Sequence, residues 1–124
     1  EACLLAGNDS IDGLLFKLKS LGPEIAVITD GKHNLHAIGG QYIYTALPPP
    51  VKIVDSTGAG DAFAASFLSG LIRNKGIEFA IRLGIANAQS VVSHHGAKNI
   101  LLTSKEAMKS IKKLKIKVHK KKYN

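Results

Sequence analysis

The chain has 124 residues, 45% of them hydrophobic, and its 17 Lys and Arg against 9 Asp and Glu give a formal net charge of +8. That length suits one compact domain rather than two, and no apolar run is long enough to cross a bilayer. A lone cysteine, Cys3, excludes an internal disulfide, suits a reducing cytoplasmic setting and reads as a small buried apolar residue.

The first residues, Glu1-Ala2-Cys3-Leu4-Leu5, open in apolar material without a Met or a signal-like lead, as expected of a chain that begins inside a longer sequence. Ile11, Leu14, Leu15, Leu18 and Leu21 recur at helical spacing across residues 10–21, with Asp9 or Ser10 to cap and Gly22-Pro23 to stop. Ile25-Ala26-Val27-Ile28 is a continuous apolar run, the pattern of a parallel strand buried on both faces, so that helix and strand together read as half of a βαβ unit. Residues 35–38 and 42–46 flank Gly39-Gly40-Gln41 and predict a hairpin whose two glycines take positive φ. A stiff Pro48-Pro49-Pro50 spacer leads to a strand at 51–54 and a glycine-containing loop at 55–60.

Helices are predicted from Asp61 to about Arg73, from about Glu78 to His94, and from a capping box at Thr103-Ser104-Lys105-Glu106 to about Leu114. Lys115-Ile116-Lys117-Val118-His119 alternates as a short edge strand does. Charge is unevenly spread along these elements: residues 1–104 carry eight basic and eight acidic side chains, while residues 105–124 hold nine lysines and the single acid Glu106. A neutral body with a basic solvated tail from about 115 disfavours a dedicated nucleic-acid binder, which sets basic and aromatic residues together on one face.

The chemistry gathers in Asp55-Ser56-Thr57-Gly58-Ala59-Gly60-Asp61-Ala62-Phe63. Glycines at 58 and 60 let the backbone turn and present N–H groups at the positive end of the following helix, an arrangement that holds an anion. In phosphoryl transfer such donors stabilise charge on the moving group, and a carboxylate beside them, Asp61, can accept the proton of an attacking hydroxyl. The plainer reading is a turn and a helix cap. The loop lacks the lysine of a Walker loop and the spacing of a dinucleotide fingerprint, which disfavours both of those classes. His94 and His95 have no ligand-type partner at metal-binding spacing.

This stretch resembles, over its full length, the D-[ST]-T-G-A-G-D-x-F signature of the ribokinase/PfkB carbohydrate kinases. Glu1 followed by Gly7 is similar to the end of the family's N-x-x-E segment, and Thr29-Asp30-Gly31 resembles its T-x-G-x-x-G loop, with Asn34, a residue tolerant of left-handed φ, in place of the last glycine. Residues 85–88 and His94-His95-Gly96-Ala97 resemble the family's adenine-side helix and closing turn.

The resemblance implies an α/β fold, a Rossmann-like three-layer αβα sandwich of ribokinase type, of which residues 1–124 form the C-terminal, ATP-binding part. It implies transfer of the γ-phosphoryl of Mg-ATP to a hydroxyl of a sugar or nucleoside, with Asp61 as general base and Gly58, Ala59 and Gly60 as the anion hole. Thr29, Gly31, Asn87 and Ala88 would bind nucleotide, and Glu1 would act indirectly on Mg²⁺. Asp55 and Thr57, with carbonyls near His94 and Gly96, would form a monovalent-cation site for K⁺, which not every member uses. The family's N-terminal part carries acceptor specificity, so this chain alone is alternatively a catalytically inactive nucleotide-binding fragment or module. An unpaired sheet edge would favour self-association, a homodimer included; membrane and nucleic-acid partners are not expected.

Overall fold

The computed structural model describes residues 1–95 and 101–123, and these gather into two compact units, residues 1–47 with 118–123 and residues 48–95 with 101–117. In the first unit, α1 (Ala2–Ala6) is a single short turn that buries none of its residues, which leaves Cys3 exposed rather than buried as its type suggests. α2 (Ile11–Ser20) begins where Ser10 Oγ accepts the Gly13 N–H at 3.2 Å, and Lys17 pairs with Asp9 at 2.9 Å. Its apolar face buries Leu14 and Leu15.

The sheet of this unit is antiparallel throughout, in the order β1 (Ile25–Ile28), β2 (Leu35–Gly39), β3 (Tyr42–Ala46), β4 (Val118–Lys122). The parallel pairing expected of 25–28 is therefore corrected. A short loop, too short for a crossover helix, returns the chain directly onto β1, placing Val27 opposite Ala37. Only Ala26 of β1 is fully buried. The hairpin forms as expected except that Gly39 stays in the ladder opposite Tyr42, and Gly40 alone takes positive φ, +56°. Leu15, Ala26, Ile38 and Ile43 form the core, with Leu18, Ile28 and Tyr123 against it.

The basic tail keeps its lysine side chains exposed, as expected, while its backbone forms a strand. Its strand starts at Val118 instead of Lys115, because Lys115 takes a left-handed cap (φ +48°) at the end of the last helix and Ile116 is buried. β4 then pairs with β3, placing Lys120 opposite Tyr44 with its ammonium 4.0 Å from the Tyr42 ring centroid. Tyr123 fixes the end: its hydroxyl donates to the Gly40 carbonyl at 2.7 Å, its N–H to Gln41 at 3.1 Å, and Lys19 donates to both Tyr123 Oη and the Gly40 carbonyl at 2.8 Å.

The second unit is helical: α3 (Ala59–Ile72), α4 (Ile77–Val92) and α5 (Ser104–Leu114). Small residues let α3 and α4 approach closely. A Cβ on Gly70 would lie 2.7 Å from Ala80 Cα, and one on Gly84 would lie 2.6 Å from the Phe63 ring. Those pairings run the two helices antiparallel. α5 starts with the expected capping box: Thr103 Oγ1 accepts the Glu106 N–H at 3.3 Å, and Glu106 accepts the Thr103 N–H at 2.8 Å.

Residues 51–54 do not form the expected strand. Among the described residues no strand lies beside them to supply a ladder, and Val51, Ile53 and Val54 remain exposed. Two other boundaries move: α3 starts at Ala59, two residues ahead of Asp61, and α4 stops at Val92, before His94.

Candidate functional site

The loop before α3 is built by successive local bonds. Asp55 Oδ1 accepts the Thr57 N–H at 2.9 Å, the Ser56 carbonyl accepts the Ala59 N–H at 3.2 Å, and the Gly58 carbonyl accepts the Ala62 N–H at 2.9 Å. Gly58 caps the helix in the left-handed region, at φ +78° and ψ 3°, where any Cβ would be strained. Because α3 starts at Ala59, Gly60 and Asp61 occupy its first turn, where N–H groups have no intrahelical acceptor and the helix dipole is positive. Glycine at 60 has no such backbone reason. Among the described residues a Cβ there would meet nothing within 4 Å, so they leave the space over this turn open.

Asp61 is exposed, one residue beyond Gly60 in that turn, so its carboxylate is accessible to solvent and to a ligand approaching the loop. Asp55 is half-buried and its Oδ1 is engaged within the loop; Thr57 is exposed. His94 is described and exposed, with Nδ1 2.9 Å from the Ser90 carbonyl. Gly96 and Ala97 lie outside the described residues.

Asn87 has a different setting from the one its expected role would give. It is 9% exposed, its Nδ2 donates to Ser66 Oγ at 2.6 Å, and its Oδ1 accepts the Leu102 N–H at 3.0 Å. It thus ties α3, α4 and the approach to α5 together from inside. Ala88, next along α4, is half-buried.

The remaining expected residues belong to the first unit. Glu1 is exposed and stands before α1, its carbonyl accepting the Leu4 and Leu5 N–H groups at 2.9 and 3.2 Å. Thr29 is exposed at the end of β1, and Gly31 turns the chain at φ +53°. The Asp30 carbonyl accepts the His33 N–H at 2.8 Å, and the Asp30 carboxylate lies 3.2 Å from His33 Nδ1. Asp30, His33, Asn34 and His36, with Ile11 and Ile28, line a cavity of about 220 Å³. Asn34 does not take the left-handed φ that would explain it in a glycine's place: among the described non-glycine residues only Asn74 and Lys115 do.

Sequence reasoning missed three groups: Ser66, which Asn87 bonds, and Gln89 and the Val92 carbonyl, which hold the chain that leads into the loop. The first two left a signal, since each is a polar residue buried in an otherwise apolar helix face. A backbone carbonyl leaves none.

A model of the pfkB family of carbohydrate kinases matches residues 1–104. The chain is 36% identical over 98 residues to a cytidine kinase of Thermococcus kodakarensis, covering 77% of this chain and 35% of that protein. It is 33% identical over 120 residues to a 5-dehydro-2-deoxygluconokinase of Halalkalibacterium halodurans, covering 91% and 31%. The crystal structure of ribokinase from Thermotoga maritima superposes with a TM-score of 0.76 at 25% identity, covering 84% of this chain and 35% of that one. The chain therefore has a partial α/β fold of ribokinase type and spans about a third of the length of the curated relatives it matches.

Proposed function

The chain belongs to the pfkB family of carbohydrate kinases, and from that premise we propose that it forms the phosphate-handling part of an ATP-dependent kinase acting on a hydroxyl of a sugar or nucleoside. One observation carries the reading: the first turn of α3 sets the left-handed Gly58, the N–H groups of Ala59 and Gly60 and the exposed Asp61 carboxylate side by side, with open space above Gly60. Backbone donors fixed at a helix N-terminus require no reorganisation as charge builds on a transferred phosphoryl group. Glycine at 60 costs the helix about 1 kcal/mol relative to alanine while relieving no clash, which is consistent with a ligand that approaches the backbone there.

In this reading the Gly58, Ala59 and Gly60 amides hold the phosphoryl group, the Ala59 N–H giving up its 3.2 Å bond to the Ser56 carbonyl to do so, and Asp61 accepts the proton of the attacking acceptor hydroxyl. The Asp61 side chain is exposed, as a base that must meet an incoming substrate has to be. Mg²⁺ would be carried on the nucleotide phosphates, where it screens their charge, with Glu1 acting on it indirectly. Asp55 and Thr57 offer oxygen ligands of the kind an alkali cation takes, and K⁺ is assigned to them on that chemistry. Thr29 and Gly31 are assigned to nucleotide by the resemblance of their loop. Asn87, with both ends of its amide engaged, would serve the adenine side by holding α4 in place, leaving direct contact to the helix surface at Ala88. A cytoplasmic protein fits ATP and a small acceptor as substrates.

Titration of the isotopically labelled chain with Mg-ATP and Mg-ADP tests this, followed by ADP release in the presence of a panel of sugars and nucleosides. The Ala59 and Gly60 amide resonances are expected to move most. Binding that leaves them unmoved contradicts the assignment. Binding without ADP release on any acceptor favours the second reading, a nucleotide-binding module, which the exposed 51–54 segment, joined to no strand among the described residues, also favours for the chain on its own.

A further inference from the structure

Between β3 and α3 the chain runs through Pro48, Pro49 and Pro50, which have no N–H groups with which to bond. Over these residues the backbone can be held only by its carbonyls. One of them is held: Nε2 of Gln89, on α4 and 8% exposed, donates to the Pro49 carbonyl. Five residues on, the chain is held again by the same helix. The Val92 carbonyl, one of the last-turn carbonyls that a helix cannot satisfy internally, accepts the Val54 N–H at 2.7 Å and the Asp55 N–H at 3.3 Å. Residues 89 and 92 lie about 300° apart around the helix, so within about 60° of each other on one side of α4. Between the two anchors the backbone has no ladder, and Val51, Ile53 and Val54 are exposed.

We propose that Gln89 is a positioning residue for the phosphate loop: by fixing the Pro49 carbonyl on the side of α4 that offers the Val92 carbonyl, it sets the register with which Asp55 enters the turn that ends at Asp61. Asp55 is where the effect reaches the site. Its N–H is bonded to Val92, and its Oδ1 bonds Thr57, which precedes the capping Gly58. A shift at 49–54 therefore passes to the N–H groups of Ala59 and Gly60 through a short chain of hydrogen bonds. Asn87, two residues earlier and on another side of α4, has its amide bonded to Ser66 and Leu102 instead. Packing alone does not require an amide at 89, since the neighbouring positions on α4 are filled by Val91, Ile85 and Ala86.

This inference rests on the proposed function for what the loop does, but not for how the loop is held. The test is amide chemical shift and hydrogen exchange in the labelled chain for Gln89→Met, which keeps the length and loses the donor, beside the packing control Val91→Ala. Gln89→Met is expected to raise exchange at Val54 and Asp55 about tenfold, the ratio for loss of one hydrogen bond. It is also expected to move the Gly58, Ala59 and Gly60 resonances and to weaken Mg-ADP binding several-fold. Val91→Ala is expected to lower overall stability and leave those resonances in place. Should Gln89→Met fail to fold, Gln89→Asn, which keeps the amide and shortens its reach, is expected to move the same resonances less. Unmoved loop resonances in the folded variant overturn the proposal, and so do moved resonances with Mg-ADP affinity unchanged. A wild-type chain that binds no Mg-ADP would instead refute the kinase reading, with the exchange data still deciding how Gln89 acts.

Discussion

The two units satisfy their backbones in opposite ways. Residues 1–47 with 118–123 close an antiparallel ladder of four strands and cover it with α2 around Leu15, Ala26, Ile38 and Ile43. Residues 48–117 have helices and no strand among the described residues, and the segment that carries the signature hangs on a side-chain amide and a helix-end carbonyl. The difference shows where this chain keeps its stability and where it keeps its chemistry. A ladder with a filled core resists change, while an exposed glycine turn at a helix start stays available to a ligand.

That contrast can be broken by mutation. Ile38→Ala, at a position with 0% exposure, is expected to cost about 2–5 kcal/mol in urea unfolding and to release exchange protection along β1, β2 and β3. An unprotected ladder in the wild type would contradict the self-contained sheet. In the helical unit the matching test is Gly70→Ala, whose Cβ would fall 2.7 Å from Ala80 Cα. Backbone cannot rotate away, so overpacking of about 1–3 kcal/mol is expected, reduced by the gain of about 1 kcal/mol that alanine brings to a helix. Gly84→Ala first meets the Phe63 ring, a side chain rather than backbone, and is expected to cost less in the same thermal melt.

Gly60→Ala separates stability from function within the helical unit. With nothing within 4 Å of the new Cβ, the melting temperature is expected to hold or rise, by up to about 1 kcal/mol in stability, while Mg-ADP affinity falls. A melt that falls with affinity intact would reverse the assignment of that glycine. The smallest effect is set by pH. Asp9 lies below its usual value because Lys17 and the Ser10 N–H hold its carboxylate, and Glu106 lies below its own because the Thr103 hydroxyl and N–H do. Both folded values are depressed, so their contribution is full above the unfolded values and is lost as pH falls through the folded ones. A slight decline in stability below about pH 4.5 is expected, and Thr103→Ala should flatten the Glu106 share of it.

Much of this was legible in the residues. The helix at 10–21, the hairpin around Gly40 and the Thr103–Glu106 cap follow from local rules of spacing, turn and capping chemistry. The signature loop falls at a helix start because glycine and a first-turn acid act locally too. What could not be read depended on partners distant in sequence. Ile25-Ala26-Val27-Ile28 has the composition of a strand in either sheet type, and only its pairing with 36–39 makes it antiparallel. Residues 51–54 have strand composition and no ladder among the described residues. The lysines at 120–122 are exposed, as their composition suggests, but the pairing of their backbone with β3 could not be read from it. Asn87 gave the residue type of a ligand contact, while its burial against Ser66 gives it a bracing role within the unit.

The kinase reading stands most directly on Asp61 beside the Gly58 turn. The decisive measurement compares turnover and Mg-ADP affinity for wild type and Asp61→Asn in a kinase of full family length carrying these residues. Turnover is expected to fall by about 10²–10⁴-fold with Mg-ADP affinity nearly unchanged, as loss of a general base requires. An Asp61→Asn enzyme that turns over at the wild-type rate would contradict the assignment of the base, and with it the reading of the loop.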